Sequence, residues 1–294
     1  MDQERLDRAL LSLEGLSIGD AFGQQFFMPH VAAEASRDNL PMPPWHYTDD
    51  TEMSLAVVQT LKECGSIDQD RLAHLFAVRF DAEPGRGYGA GARQLLSDIN
   101  NGGDWKSLSH QMFGGSGSYG NGAAMRAAPI GAWFADDVDK TIEQTALSAE
   151  ITHTHPEAVV GAIAVSLAAN WVSALCSRGA AASELIPWIV SKIDSSEVRK
   201  RLKSVSSCPL DTWPFTIASE VGSGHDISAQ DTVPFCLWMV AAFLDDYTEA
   251  MWTAARVGGD MDTTCAIIGG IIALAVGESG LPKTWSDHRE RLSW

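Results

Sequence analysis

The chain has 294 residues, a formal net charge of −17 and an apolar fraction of 45%, values that fit a globular protein rather than a disordered one. So strong a negative charge excludes nucleic acid as a bulk partner, because no basic surface is available to displace counterions from a phosphate backbone. It does not exclude an anionic small ligand, which backbone N–H groups and helix N-termini can hold in a local pocket.

The cysteines and the start of the chain favour a cytoplasmic location. The five cysteines are widely spaced and form no CxxC pair, which is typical of reduced thiols. They are Cys64, Cys176, Cys208, Cys236 and Cys265. The first residues are charged and carry no signal-peptide apolar region, and the longest apolar run, residues 265–277, is too short to span a bilayer. We therefore expect a soluble cytoplasmic protein that does not enter a membrane.

Apolar residues recur at helical spacing along most of the chain, and no segment alternates with a period of two. The predicted helices cover residues 4–19, 51–63, 68–80, 86–99, 123–134, 138–151, 156–177, 181–193, 196–204, 232–244, 246–256, 262–276 and 283–292. Three segments rich in proline, glycine or serine are predicted to be irregular: 26–47, 101–122 and 207–230. We predict an all-α fold that forms a single domain over residues 1–294.

Two short clusters of carboxylates and hydroxyls stand just before predicted helices. They are Thr48, Asp49 and Asp50 and, much later in the chain, Asp260, Asp262 and Thr263. Carboxylate and hydroxyl oxygens are hard ligands that suit Mg²⁺, Mn²⁺ or Ca²⁺. The pair of clusters favours one metal site assembled by folding, since the carboxylates would repel one another without a cation. On spacing alone, the alternative that these residues only cap two helices stays open.

A glycine-rich loop, residues 113–122, is the second candidate site. Its backbone N–H groups and the helix after it suit a phosphate, whereas a flexible linker is the alternative on composition. Phe113 and Tyr119 argue against a plain linker, because aromatic rings can stack on a nucleobase. Further on, His153 either hydrogen-bonds a ligand phosphate or ribose or caps a helix at the surface. Its spacing from His155 argues against a paired metal site.

These motifs, in this order, resemble the ADP-ribosylglycohydrolase family, hydrolases that remove ADP-ribose from modified side chains. The resemblance covers nearly the whole chain. It rests on Gly19-Asp20, residues 48–51, residues 86–91, residues 117–126, Thr152-His153 and residues 258–264. Residues 86–91 and the segment from Ser118 are most similar to the branch that cleaves serine-linked ADP-ribose, poly(ADP-ribose) and O-acetyl-ADP-ribose. The resemblance implies an orthogonal helical fold, a monomer and hydrolysis of the glycosidic bond at the anomeric carbon of an ADP-ribosyl group.

The resemblance also carries the family's site residues to positions in this chain. The implied ligands of two Mg²⁺ or Mn²⁺ ions are Thr48, Asp49, Asp50, Asp260, Asp262 and Thr263. The implied contacts to ADP-ribose are Gly87, Gly89, Gly91, Phe113, Ser118, Tyr119, Gly120, Asn121, Gly122 and His153. The implied partner is ADP-ribose itself, or a protein or small molecule that carries it.

The chain departs from the resembled branch at one point. In that branch a glutamate follows the Gly-Asp motif and serves as a mobile acid or base, whereas Phe27 falls at that place here. Three alternatives stay open. Glu34 swings in from the same loop; a metal-bound aspartate (Asp49, Asp50 or Asp262) acts as the base; or the chain is a catalytically impaired ADP-ribose-binding protein.

Overall fold

The computed structural model describes residues 2–175 and 179–294, and in these ranges its regular secondary structure is helical, with isolated bridges but no β-strand. The prediction of an all-α fold is confirmed. The helices are α1 (Asp2–Gln25), α2 (Pro29–Glu34), α3 (Asp49–Cys64), α4 (Gln69–Ala82), α5 (Ala90–Asn100), α6 (Trp105–Gln111), α7 (Ala128–Trp133), α8 (Val138–Glu150), α9 (Pro156–Leu175), α10 (Leu185–Val190), α11 (Glu197–Val205), α12 (Pro214–Val221), α13 (Ala229–Ala242), α14 (Tyr247–Val257), α15 (Met261–Val276) and α16 (Lys283–His288). Cys176, with the predicted end of the helix 156–177, lies outside the described residues.

Each of the three segments predicted to be irregular contains a short helix. Pro29 and Pro214 stand in the first turns of α2 and α12, and the side chain of Asp104 accepts a hydrogen bond from the Ser107 N–H at the start of α6. Proline is favoured in a first helical turn and aspartate at an N-cap, so the composition of these segments did not exclude helices. The predicted helices 123–134 and 181–193 are shorter than expected, because each begins with a 3₁₀ turn.

The backbones of α1 and α15 touch along a face of glycines. A Cβ atom on Gly19 would lie 2.2 Å from the carbonyl oxygen of Cys265, and one on Gly23 would lie 2.2 Å from that of Met261. No side chain fits at such distances, so these glycines set how closely the two helices approach. The sequence predicted a helix end at Gly19, and this was wrong: α1 continues to Gln25 because the glycines face a neighbouring helix rather than a turn.

Gly19→Ala should therefore destabilise the fold. The added methyl group meets backbone atoms that cannot rotate away, and overpacking of this kind costs about 3 kcal/mol of the free energy of unfolding. Gly85→Ala is the matched control, because Gly85 is exposed, has no positive φ and has open space where its Cβ would stand. Urea denaturation of both variants measures the difference. Equal midpoints for the two variants would contradict the close helix contact.

The core is one cluster of buried apolar side chains that extends from Ala9 to Trp285. Residues Pro156–Ala174 of α9 are long and apolar enough to cross a membrane by length and composition, and 72% of that stretch is buried inside the fold. A core helix passes the same test, and its burial favours that interpretation. The assignment of residues 1–294 to a single domain stays a prediction.

Candidate active site

A cavity of about 440 Å³ collects most of the residues that the sequence singled out. Its floor carries the carboxylates of Asp49, Asp50, Asp260 and Asp262. Its walls include Thr263, His153 and Phe113, the glycines of the segment 87–91, and residues 118–122 of the glycine-rich loop. Two predicted site residues, Thr48 and Glu34, are absent from the described lining. Clusters separated by most of the chain therefore meet in one place.

The first acidic cluster is held by a buried carboxylate on α1. Asp20 is fully buried and accepts hydrogen bonds from the backbone N–H groups of Thr48 and Thr51 at 2.9 and 3.1 Å. The hydroxyls of both threonines also donate to Asp20, at 2.8 and 2.5 Å. Thr48 is the N-cap of α3, and its hydroxyl accepts from the Asp50 N–H. This residue therefore does cap the helix, and whether it also binds metal stays a prediction. Asp20 thus fixes the helix start that carries Asp49 and Asp50.

The second acidic cluster follows a turn of two glycines with positive φ, Gly258 and Gly259. Asp260 is the N-cap of α15, but its side chain makes no capping hydrogen bond. Instead one of its carboxylate oxygens accepts from the Asn121 amide at 2.7 Å. The capping interpretation is therefore wrong for Asp260. Asn121, predicted to contact the ligand, also connects the glycine-rich loop to the acidic floor.

Burial raises the pKa values of Asp49, Asp50 and Asp262 on the floor, and that of Asp20 behind them, while no cation is bound. Burial, followed by the neighbouring Asp20, raises the pKa of Asp49 to about 7. Burial raises the pKa of Asp20 to about 6, and burial with nearby carboxylates raises the pKa values of Asp50 and Asp262 well above the usual range. Like charges and low dielectric both favour the protonated forms. A cation at the floor would reverse both effects.

The donor set fits a hard cation. In the described part of the chain, Oδ1 of Asp50 is buried and has no hydrogen-bond partner, which an ion would supply. Carboxylate and hydroxyl oxygens are the ligands that Mg²⁺ and Mn²⁺ prefer. The described residues include no preformed cage of three or more histidine, cysteine or acidic side chains. The fit therefore depends on the orphaned oxygen and on the mutual repulsion of the carboxylates.

The cavity mouth has an apolar rim. Phe113 and Tyr119 are 65% and 53% exposed although both are large aromatic residues, and Ile227 beside them is 62% exposed. Phe113 and Ile227 adopt φ values of +52° and +51°, a region that non-glycine residues rarely occupy outside functional sites. Ile227 was missed by the sequence analysis. It lies in a breaker-rich segment, and nothing in the residue pattern indicates that its carbonyl oxygen accepts a hydrogen bond from the Asn121 N–H.

The two histidines of the segment 152–156 have different roles. His155 Nδ1 accepts from the Glu157 N–H at 3.2 Å, at the start of α9. His153 is buried and lines the cavity, with its Nδ1 atom 2.6 Å from the Thr152 hydroxyl. The surface-cap alternative is therefore wrong for His153 and describes His155 instead.

Arg86, part of the resemblance, links the glycine-containing segment before α5 to the first acidic cluster. Its carbonyl oxygen accepts from the Asp49 N–H at 2.7 Å, and its guanidinium donates to Glu290. The same guanidinium lies over the Tyr47 ring, with 4.2 Å between Cζ and the ring centroid. A Cβ atom on Gly87 would lie 3.3 Å from Oδ1 of Asp49, so Gly87 packs against the Asp49 carboxylate.

The loop that departs from the resembled branch does not reach the cavity. Phe26 packs into the core, with its ring centroid 4.9 Å from that of Phe22, whereas Phe27 is 46% exposed. Glu34 is exposed at the end of α2. Neither Phe27 nor Glu34 lines the described cavity. Asp49, Asp50 and Asp262 are thus the predicted catalytic residues that face it.

Comparison with known proteins shows which family the chain resembles along its whole length. The sequence model of the ADP-ribosylglycohydrolase family matches residues 1–294. The ADP-ribosylhydrolase ARH3 of Mus musculus is 31% identical over 277 residues, which cover 83% of this chain and 73% of that protein, and the Homo sapiens ARH3 is 30% identical over 281 residues, which cover 83% and 75%. The ADP-ribosylarginine hydrolase Tri1 of Serratia proteamaculans is 26% identical, covering 99% of this chain and 78% of that protein. A solved structure described as an ADP-ribosylglycohydrolase-related protein complex superposes with a TM-score of 0.70 at 23% identity, covering 98% of this chain and 94% of that one, and so supports the fold.

Proposed function

Because the chain belongs to the ADP-ribosylglycohydrolase family, we propose that it is a metal-dependent hydrolase that cleaves the glycosidic bond at the anomeric carbon of an ADP-ribosyl group. One observation carries the proposal. A cavity has acidic residues from two distant clusters on its floor and exposed aromatic rings at its mouth. Such a cavity suits a ligand with a ribose at one end and a nucleobase at the other.

Two Mg²⁺ or Mn²⁺ ions are the proposed cofactors. Their proposed ligands are Thr48, Asp49, Asp50, Asp260, Asp262 and Thr263. When bound, the ions would supply positive charge that holds the hydroxyls of the distal ribose and orients its anomeric carbon. Support comes from the orphaned oxygen of Asp50 and from the raised pKa values on the floor.

The protein's own residues would stabilise charge, transfer a proton and bind the ligand. Carboxylates on the floor stabilise the positive charge that develops on the ribose as the glycosidic bond breaks, and one of them takes a proton from the attacking water. Asp49, Asp50 and Asp262 are the candidates, since all three face the cavity. The glycine loops offer backbone N–H groups to the diphosphate. Phe113 and Tyr119 offer ring faces to the adenosine.

Release of ADP-ribose tests the proposal directly. The purified protein with Mg²⁺ is incubated separately with ADP-ribosylserine, ADP-ribosylarginine and O-acetyl-ADP-ribose, and free ADP-ribose is measured with and without a chelator. We expect release from at least one substrate, abolished by chelation. Tight calorimetric binding of ADP-ribose with no release from any substrate would support the alternative, an impaired ADP-ribose-binding protein. Activity that survives chelation would contradict metal dependence.

Glu34→Gln tests whether Glu34, rather than an aspartate of the floor, is the base. Because Glu34 is exposed and outside the described cavity lining, we expect kcat to stay within about twofold of the wild-type value. A fall of more than about a hundredfold would identify Glu34 as a mobile acid or base. Glu150→Gln is the matched control, since that carboxylate also stands at the last position of a helix, α8.

Cellular location and assembly are proposals of the same kind. We propose a cytoplasmic monomer that acts on ADP-ribosylated proteins or small molecules without entering a membrane or binding nucleic acid. The net charge of −17 supports the last point. Within the described chain, Cys64, Cys208, Cys236 and Cys265 are free thiols, which supports a reducing compartment.

A further inference from the structure

A buried cation lies behind the cavity wall and takes no part in the proposed chemistry. The guanidinium of Arg126 is fully buried, and its Cζ stands 4.6 Å from the centroid of the Phe76 ring. Nη1 donates to the Gly122 carbonyl at 2.8 Å. Nη2 donates to the Ser148 carbonyl at 3.0 Å and to the Thr152 hydroxyl at 2.9 Å. A charge buried among neutral acceptors is costly, so its retention calls for a role.

The hydrogen bond between Arg126 and Thr152 has only one possible direction. A guanidinium has five N–H donors and no lone pair that can accept, so the Thr152 oxygen must be the acceptor. The single hydroxyl proton of Thr152 is then available to a second partner. His153 Nδ1 lies 2.6 Å away from the same oxygen. Thr152 is buried, and a buried hydroxyl proton without an acceptor would be unusual.

These contacts determine which nitrogen of His153 carries the proton. If Nδ1 were protonated, it and Arg126 would both donate to the Thr152 oxygen, and the hydroxyl proton would be left without a partner. If Nδ1 accepts, the Nη2–H donor of Arg126 and the hydroxyl proton of Thr152 both have acceptors. A neutral imidazole whose Nδ1 accepts carries its proton on Nε2. The ring is neutral as well, because burial and then the Arg126 cation lower the pKa of His153 to about 3.

The Nε2 atom faces the glycine-rich loop. A Cβ atom on Gly120 would lie 3.2 Å from Nε2, and one on Gly122 would lie 3.1 Å from it. Both glycines and His153 line the cavity. Side chains at these two positions would therefore crowd the nitrogen that carries the proton. The loop leaves this N–H accessible from the side on which a ligand would stand.

We infer that Arg126 and Thr152 are positioning residues that hold His153 as the neutral Nε2–H tautomer, so that the ring always presents a hydrogen-bond donor to an oxygen of the ligand. In its ligand part this inference rests on the proposed function. It predicts a preference for groups that accept hydrogen bonds, such as a phosphate oxygen or a ribose hydroxyl oxygen. A ligand group that can only donate would meet another donor and be rejected.

Nitrogen NMR reads the tautomer without any ligand. Two-bond ¹H–¹⁵N correlation spectra of protein labelled with ¹⁵N-histidine distinguish the two ring nitrogens, and His153→Gln identifies the signals of this residue among the eight histidines. We expect an unprotonated Nδ1 and a protonated Nε2 in the wild-type protein at pH 7. A protonated Nδ1, alone or together with a protonated Nε2, would overturn the inference.

Binding measurements with two variants of Thr152 test the consequence for the ligand. Thr152→Val keeps the shape but can neither accept from Arg126 nor donate to His153, and we expect the Kd for ADP-ribose to rise about tenfold. Thr152→Ser keeps the hydroxyl and should restore both the tautomer and most of the affinity. Equal affinities of the Val and Ser variants would overturn the positioning role of Arg126 and Thr152. Should the wild-type protein fail to bind ADP-ribose at all, the proposed function fails, while the wild-type spectrum still decides the tautomer.

Discussion

Asp262→Asn should strongly reduce hydrolysis and yet stabilise the metal-free protein. The carboxylate is buried beside other acidic groups, and burial followed by the neighbouring Asp260 raises its pKa well above the usual range. The amide keeps the oxygen that accepts from the Thr263 N–H at 2.8 Å, so local geometry is preserved while a charge is lost. We expect kcat/KM to fall by about 10³-fold, the scale on which removal of one precisely placed charged or donor group acts. The free energy of unfolding without metal should rise by about 1 kcal/mol at pH 8.

Asp246→Asn is the matched control for this experiment. Asp246 is an exposed N-cap whose side chain accepts from the Glu249 N–H at 2.9 Å, so it undergoes the same chemical change away from the cavity. Its activity should match the wild-type activity, with a loss of stability of about 0.5 kcal/mol. Both activity and urea denaturation are measured for each variant. Near-normal turnover in Asp262→Asn would contradict the assignment of this carboxylate to the catalytic floor.

The metal-free protein should lose stability as the pH rises from 4 to 7. The pKa values of Asp20 and Asp49 are raised in the folded state, to about 6 and about 7 from the usual 3.8. A raised carboxyl pKa contributes stability that is fully present below the unfolded value and is lost as the pH rises through the folded value. The free energy of unfolding should therefore fall between pH 4 and pH 7. For Asp49 the loss is about 4 kcal/mol, because each pKa unit between 3.8 and about 7 corresponds to 1.36 kcal/mol.

Thermal or urea unfolding from pH 4 to pH 8, with and without Mg²⁺, measures the effect. We expect Mg²⁺ to restore stability at pH 8 and to have little effect at pH 4, because an ion binds the ionised carboxylates. Asp49→Asn provides the control, since it removes one raised pKa while all surface groups titrate as before. A wild-type protein whose stability has the same pH dependence as that of Asp49→Asn would show that this carboxyl group does not titrate as the geometry requires.

The composition of the acidic clusters predicted the floor of the site well, and for a physical reason. Hard oxygen ligands before a helix are recognisable in any sequence, and Asp49, Asp50, Asp260 and Asp262 do face one cavity. The pair of clusters already favoured one shared site, and the resemblance strengthened that prediction, because spacing alone leaves helix capping as an alternative. Whether these residues bind metal and perform catalysis stays a prediction.

The structural roles of other residues could not be predicted from local residue patterns. Gly19-Asp20 looks like a helix end, but in the fold Gly19 faces another helix and Asp20 is a buried acceptor of four hydrogen bonds from Thr48 and Thr51. Residue spacing does not distinguish His153 from His155, whereas in the fold His153 is buried and lines the cavity and His155 caps α9. Ile227 owes its place at the cavity mouth to a backbone conformation that isoleucine rarely adopts.

The glycine face of α1 has a consequence for the choice of ion. No residue of α1 lines the described cavity, yet its glycines fix the position of α15, and its Asp20 fixes the start of α3. Helix α1 therefore sets the distance between the two acidic clusters, because its close backbone contacts with α15 and its hydrogen bonds to the start of α3 leave little room for movement. A rigid span favours a small ion with strict geometry over a larger one such as Ca²⁺, which tolerates loose coordination. At the proposed metal site, altering the preference for ion size would thus mean changing a helix that does not line the described cavity.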